Sequence, residues 1–260
     1  MIAPGFADVE AQIWMWLMAM IRPGAAMVVA PVFGAANVPL QVRIILAFMI
    51  GLVATNSATF TLPTDTAISV SNLIFVMGEV LVGLAMGFSL QIGYASVLIA
   101  GATISNAMGL GFASMSDPQT GQSTPVIGQF LTILATLLLL AIDGHLMLIA
   151  TIVKSYSALP PGYAFLGPEL FMGIVQFGGT LFSMGLLIAL PVGGALILIQ
   201  LVMGFLARTA PALNLFAVGI PVTIMVGLVA LAITAPIMAD TIIEALGMGL
   251  NQAALVAGGR

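Results

Sequence analysis

The sequence predicts an all-α membrane protein made of about six long apolar segments, which form kinked and tilted helical hairpins. Hydrophobic residues occupy 61% of the 260 positions, charged residues only 5%, and the mean hydropathy is +1.23. A soluble domain carries about 25% charged residues, so a surface this poor in charge requires lipid as its solvent. Glycines and prolines interrupt the apolar runs, which predicts bends rather than straight rods.

The composition also excludes several functional classes. The chain has no cysteine, which removes disulfide frameworks, thiolate metal sites and thiol catalysis. Five basic residues against nine acidic ones form no basic patch for nucleic acid. One histidine cannot build a metal site with others, and no G-x-S-x-G motif supplies a nucleophile. We therefore expect no catalytic residue, no metal and no cofactor.

The first two apolar runs, residues 11–33 and 38–60, are predicted to form an antiparallel helical hairpin. The first run is interrupted by Arg22 and Pro23, and the proline predicts a kink. The turn over residues 31–39 is short and rich in helix-breaking residues, which brings the two helices side by side.

The third run, from Ala67 to Gly109, is overlong and contains a single charge, Glu79. As one helix it would be about 64 Å long, twice the hydrocarbon thickness, so it is either a hairpin or one long helix that leaves the membrane. Gly83 and Gly87 stand four residues apart, which favours plain helix packing. An intramembrane carboxylate marks either a functional site or a polar contact that is buried or shared with another subunit.

A leucine-rich run over residues 130–153 is interrupted by Asp143, Gly144 and His145. A proton relay through the histidine is one interpretation. The favoured interpretation is a helix break whose polar groups meet neighbouring chains.

The run from Glu169 to Arg208 is again too long for one span, and Pro191 predicts a kink within it. Arg208 is a further candidate for a buried or intersubunit polar contact. A last span follows with a predicted kink at Pro221, and it ends before a mildly amphipathic tail over residues 240–260.

A polar segment from Gly109 to Gly121 separates two of the apolar runs. Its glycines and Pro118 impose a non-helical backbone, which at membrane depth is tolerated only inside protein or beside water. The segment is therefore an external loop or a loop packed inside a channel, where apolar side chains such as Phe112 and Met115 would seal against water. The candidate residues are Gly109, Gly111, Phe112, Ala113, Ser114, Met115, Asp117, Pro118 and Gly121.

Several segments, taken together in their order and spacing, carry a family resemblance. They are Val29–Phe33, Gly83–Phe88, Met108–Ser114 with Asp117–Gly121, Asp143–His145, Leu190–Pro191, Gly204–Pro211 and Val218–Pro221. In this order they resemble the FliR family of flagellar export proteins, which has homologues in injectisomes. The resemblance covers nearly the whole chain and implies one integral membrane domain over residues 1–260.

The resemblance implies a helical packing like that of FliP and FliQ, and assembly with both into a type III export gate in the bacterial inner membrane. FlhB and FlhA would lie nearby, and unfolded flagellar subunits would pass through the gate. The segment Gly109–Gly121 would project into the pore as a plug. Part of the assembly would rise on the periplasmic side of the flagellar basal body, which accounts for the overlong runs.

A second functional class stays open, a proton-coupled secondary transporter that uses Glu79 and Asp143 as coupling carboxylates. Such a transporter predicts two matched halves. The turns over residues 31–39 and 211–221 are only faintly similar, with different spacing and flanks.

Overall fold

The fold is known from a computed structural model that describes residues 4–57, 69–111, 125–162, 167–209 and 215–258. Within them every regular element is an α-helix, which confirms the predicted fold class. The helices are α1 (Pro4–Ala19), α2 (Ile21–Val29), α3 (Leu40–Ser57), α4 (Val70–Ala107), α5 (Val126–Ala141), α6 (Gly144–Ala158), α7 (Pro168–Gly178), α8 (Thr180–Thr209) and α9 (Leu215–Gly258).

The described helices include four long apolar runs that can cross a membrane, and a bent pair adds a fifth. The runs are Val9–Val29, Val70–Ala107, Pro168–Thr209 and Val218–Gly258, and the pair is Val126–Ala141 with Gly144–Ala158. The sixth predicted segment is helix α3, which is shorter. Its 18 residues rise about 27 Å, slightly less than the hydrocarbon thickness.

Helices α1 and α2 pack against α3 as the predicted antiparallel hairpin. The rings of Trp16 and Phe48 meet edge to face with their centroids 6.3 Å apart. Gly51 lies against the backbone at Ala19, so close that a side chain at 51 would collide with it. The glycine lets the two helices approach at backbone distance, a common device in membrane proteins.

The turn between α2 and α3 holds a strained residue, because Val32 has a φ of 71°. A β-branched residue rarely adopts this conformation. The Arg43 side chain stabilises the turn from α3, since its Nη2 donates to the carbonyls of Ala35 at 2.6 Å and Val38 at 3.1 Å. The arginine thus donates to the Val38 carbonyl and adds a second donor to the Ala35 carbonyl, which already accepts from the Val38 N–H at 3.0 Å.

Helix α4 is a single helix of 38 residues, about 57 Å long. Of the two alternatives for this run, the long helix is therefore correct and the hairpin is wrong. Gly83 and Gly87 lie on the face that packs against α2. A side chain at either position would collide with the carbonyl oxygen of Arg22 or Ala26. The two helices therefore touch at backbone distance over one turn.

Helices α7 and α8 are separated at Gly179, and Pro191 lies inside α8. Pro221 lies inside α9, and the kinks expected at these two prolines stay predictions. The last span was predicted to end near residue 239, before an amphipathic tail, and the structure continues the same helix through that tail to Gly258. No cluster of breakers follows residue 239, and Asp240 stays on an exposed face while the next apolar residues are buried.

The chain folds into two compact units, each built from separate stretches of sequence. The first comprises Met1–Ile92, Leu140–Gly178 and Gly247–Arg260, and the second comprises Gly93–Leu139 and Gly179–Leu246. Fully buried side chains of the first unit include Met27, Met86, Leu148 and Ile152. Those of the second include Ile104, Met108, Leu131, Ile188 and Leu196. A single domain over residues 1–260 stays a prediction.

The close approach of α4 to α2 predicts a strong asymmetry among glycine substitutions. Gly87→Ala places a methyl group against the Ala26 carbonyl and is expected to cost about 1–3 kcal/mol of stability. Gly194→Ala in α8 is the matched control, because nothing lies within 4 Å of the added carbon. Thermal unfolding in detergent should show a lower midpoint for the first variant only. Equal midpoints would contradict the packing of α2 on α4.

Candidate functional site

The first candidate site is a buried ion pair between Arg22 of α2 and Glu79 of α4, both fully buried. The Arg22 Nε donates to Glu79 Oε2 at 2.8 Å, and Nη2 donates to Oε1 at 3.0 Å. Glu79 lies one turn before Gly83 and two turns before Gly87, on the face that contacts α2. The glycines thus bring the helices close enough for a two-point contact between guanidinium and carboxylate.

Helix α6 completes the surroundings of the arginine. Nη1 of Arg22 donates to Ser155 Oγ at 2.8 Å, and Nη2 donates to the Leu159 carbonyl at 3.0 Å. The Tyr156 ring lies 4.1 Å from the guanidinium carbon and adds a cation–π contact. One side chain therefore joins α2, α4 and α6, with its donors directed at oxygen atoms.

The sequence predicted Glu79 as a candidate, but its partners Arg22, Ser155 and Tyr156 were missed as site residues. One signal was available. A carboxylate in an apolar chain needs a cation, and Arg22 interrupts an apolar run as Glu79 does. The serine and tyrosine gave no comparable signal, because such residues are ordinary in apolar helices.

Beside the ion pair, a side chain donates a hydrogen bond to a backbone carbonyl that Pro23 leaves without a helical donor. The proline has no N–H for the carbonyl of Ala19, four residues earlier, and the helix is broken at Met20 between α1 and α2. The Tyr156 hydroxyl donates to this carbonyl at 2.8 Å. Tyr156 thus contacts the cation with its ring and satisfies a carbonyl that the proline leaves without a helical donor.

The segment Asp143–His145 lies at a sharp bend, where α5 and α6 meet at 61°. Asp143 is exposed, and its backbone adopts the left-handed helical conformation with a φ of 55°. Its side chain makes no capping hydrogen bond to α6. The Nδ1 atom of His145 is buried without a hydrogen-bond partner in the described part of the chain. The predicted helix break is present, and contacts from neighbouring chains stay a prediction.

The structure does not bring Glu79 and Asp143 into one polar cluster. Both carboxylate oxygens of Glu79 accept hydrogen bonds from a buried arginine, whereas Asp143 is exposed at the bend. Arg208 is also exposed, in the last turn of α8, where its positive charge complements the partial negative charge of the helix end. The described residues give Arg208 no buried contact, and a contact of Arg208 with another subunit stays a prediction.

The polar segment begins at a helix cap on the carboxyl end of α4. Gly109 has a φ of 81°, its N–H donates to the Asn106 carbonyl at 3.0 Å, and the Leu110 N–H donates to the Ser105 carbonyl at 3.0 Å. This is a Schellman motif, which glycine permits at low steric cost. Gly111 follows it in α-helical conformation, which differs from the non-helical backbone predicted for this glycine, and Asn106 lies nearby. The remaining candidate residues lie outside the described part of the chain, namely Phe112, Ala113, Ser114, Met115, Asp117, Pro118 and Gly121.

Long apolar helices, buried charges that are paired and a polar segment that starts at a capped helix end define a polytopic helical membrane protein. Residues 13–248 match the family described as bacterial export proteins, family 1.

Curated relatives are also similar to this chain, and the similarity covers most of their length. The flagellar biosynthetic protein FliR of Pectobacterium carotovorum is 35% identical over 84% of this chain and 83% of its own. The FliR proteins of Escherichia coli and Bacillus subtilis are each 34% identical, over 84% and 85% of their own lengths. The chain therefore belongs to the FliR family of bacterial export proteins, as the resemblance in its sequence predicted.

The role of the Tyr156 hydroxyl predicts a coupling with Pro23. Tyr156→Phe is expected to cost about 1–2 kcal/mol, because the Ala19 carbonyl loses its donor in an apolar environment. In a Pro23→Ala background residue 23 supplies an N–H, so the same substitution should cost clearly less. Tyr94→Phe removes a hydroxyl that lies at 3.1 Å from the Thr132 carbonyl and serves as control. Unfolding in detergent measures all four combinations, and an equal cost of Tyr156→Phe in both backgrounds would contradict the coupling.

Proposed function

We propose that the chain is a non-catalytic channel subunit of the flagellar type III export gate, in the bacterial inner membrane. It assembles with FliP and FliQ, with FlhB and FlhA as neighbours, and part of the assembly protrudes on the periplasmic side. The gate passes unfolded flagellar subunits. Membership of the FliR family supports this function.

The long helices agree with a role inside an assembly. Helix α9 has 44 residues and rises about 66 Å, roughly twice the hydrocarbon thickness, while many of its large apolar side chains are exposed. Lipid covers only about half of such a length. Partner chains of the gate cover the remainder in this proposal.

Within the gate, the segment Gly109–Gly121 occludes the lumen until a substrate or FlhB displaces it. The observation that supports this role is the Schellman cap at Gly109, because it ends α4 where the polar segment begins. Pro118 and Gly121 predict an irregular backbone, which in a membrane protein is stable only inside protein or beside water, as in a lumen.

The transporter alternative has no observation in its favour. A coupling carboxylate must bind and release a proton during the cycle, whereas Glu79 is held by two hydrogen bonds from a buried cation. Breaking that contact would leave a buried charge without a partner, which is strongly unfavourable.

Deletion of residues 113–116 tests the plug. In gates assembled with FliP and FliQ and placed in a planar bilayer, this variant should raise ion conductance severalfold, because the lumen loses part of its seal. Deletion of residues 61–64, in the connection between α3 and α4, is the matched control and should leave conductance unchanged. A closed gate after the first deletion would rule out the plug role.

A further inference from the structure

Two carbonyls at the end of α4 are satisfied by side chains of other helices. The Schellman motif serves Ser105 and Asn106, and it leaves the carbonyls of Ala107 and Met108 beyond the last helical donors. Nε2 of Gln200 in α8 donates to Ala107 at 2.9 Å. The Thr223 hydroxyl of α9 lies 3.0 Å from the Met108 carbonyl. Each of the two carbonyls thus has one side-chain donor from a different helix.

Helix α9 also holds the Met108 side chain. Gly227 lies one turn after Thr223, and a Cβ at this glycine would lie 2.6 Å from Met108 Cε. Met108 is fully buried and fills the space that the glycine leaves. Thr223 and Gly227 therefore contact the backbone and the side chain of one residue, immediately before Gly109.

The Thr223 hydroxyl has two acceptors and one hydrogen atom. It lies 3.0 Å from the Met108 carbonyl and 2.9 Å from the Ile220 carbonyl in its own helix. Only the Met108 carbonyl belongs to another helix, so this contact is the one that joins α9 to the end of α4. Without the hydroxyl, the Met108 carbonyl would lose its side-chain donor.

An open cleft of about 340 Å³ lies beside this contact, lined in part by Gly109, Gln200 and Thr223. Its walls are mostly apolar and include glycines that leave space beside α8 and α9. The end of α4 therefore borders the cleft on the same side as the two hydrogen bonds that hold it.

We infer that Thr223 is an anchor, a positioning residue whose hydroxyl holds Met108 and thereby the end of α4 at Gly109. The inference rests on the proposed function, since Gly109 begins the segment that is proposed as the plug.

The absence of cysteine allows a clean test in the full-length protein assembled with its partner subunits. A single cysteine is introduced by Leu110→Cys, and its rate of alkylation by a soluble maleimide is measured. Thr223→Val keeps the shape of the side chain and removes the hydroxyl, so alkylation should be about fivefold faster, the equivalent of one lost hydrogen bond. Thr223→Ser retains the hydroxyl and should alkylate like the parent.

Thr234→Val is the matched control, because the Thr234 hydroxyl bonds the Ala230 carbonyl of its own helix. It should not change the rate. If Thr223→Val does not accumulate, Gly227→Ala displaces the Met108 side chain and should also accelerate alkylation. An unchanged rate in these variants, or equal acceleration by Thr223→Ser, would overturn the anchor.

Conductance of the same gates separates the anchor from the proposed function. Thr223→Val should leak less than the 113–116 deletion and more than the parent. If the deletion variant leaks, faster alkylation of Thr223→Val without a leak would overturn the positioning role and leave the plug standing. If the deletion variant does not leak, the proposed plug fails, and the alkylation rates of Thr223→Val and Thr223→Ser alone decide whether Thr223 holds the end of α4.

Discussion

The contact between Arg22 and Glu79 is the constraint on which the arrangement of the first unit depends. Each side chain alone would be an uncompensated charge in an apolar chain, a state that costs several kcal/mol. The two therefore have to meet, although 57 residues separate them in the sequence. Their contact fixes the register of α2 against α4, and the bonds to Ser155 and Leu159 add α6 to the same arrangement.

Buried backbone carbonyls, although uncharged, also need a hydrogen-bond partner in an apolar environment. At three places where a proline or a helix end leaves a carbonyl without a helical donor, a side chain from another helix supplies one. The Tyr156 hydroxyl donates to the Ala19 carbonyl, four residues before Pro23. Gln200 and Thr223 donate to the carbonyls of Ala107 and Met108 at the end of α4. In a soluble protein water would take these positions, whereas an apolar environment leaves the task to the chain itself. These polar side chains of the helices therefore have a structural task, which is to donate hydrogen bonds to backbone carbonyls of other helices.

Much of the fold was predictable because apolar run length and breaker residues are local signals. They predicted the first hairpin, the bend at Asp143 and the packing role of Gly83. They did not distinguish a hairpin from one helix over residues 67–109, because the intervening glycines are compatible with both. The decision comes from the unbroken helix α4, whose Gly83 and Gly87 pack against α2 in a contact that exists only in the folded chain.

The candidate site was predicted less completely, for a physical reason. A lone carboxylate such as Glu79 stands out against its apolar neighbours in the sequence. It was therefore expected to mark a functional site or a buried or intersubunit polar contact. Its contacts are set by helix packing between distant segments, which no local pattern encodes. Thr223 illustrates the same limit, since a threonine in an apolar helix ordinarily bonds its own backbone, and its second acceptor comes from α4.

A structural role for the ion pair and a proton-coupling role make opposite predictions for its removal. Arg22→Met or Glu79→Leu alone should abolish stable gate assembly, because each leaves a buried charge behind. The double variant replaces the pair with apolar side chains and should restore both assembly and export of flagellar subunits, measured by co-purification and by secretion. A double variant that assembles but does not export would show that the charges themselves are required, which would contradict a structural role.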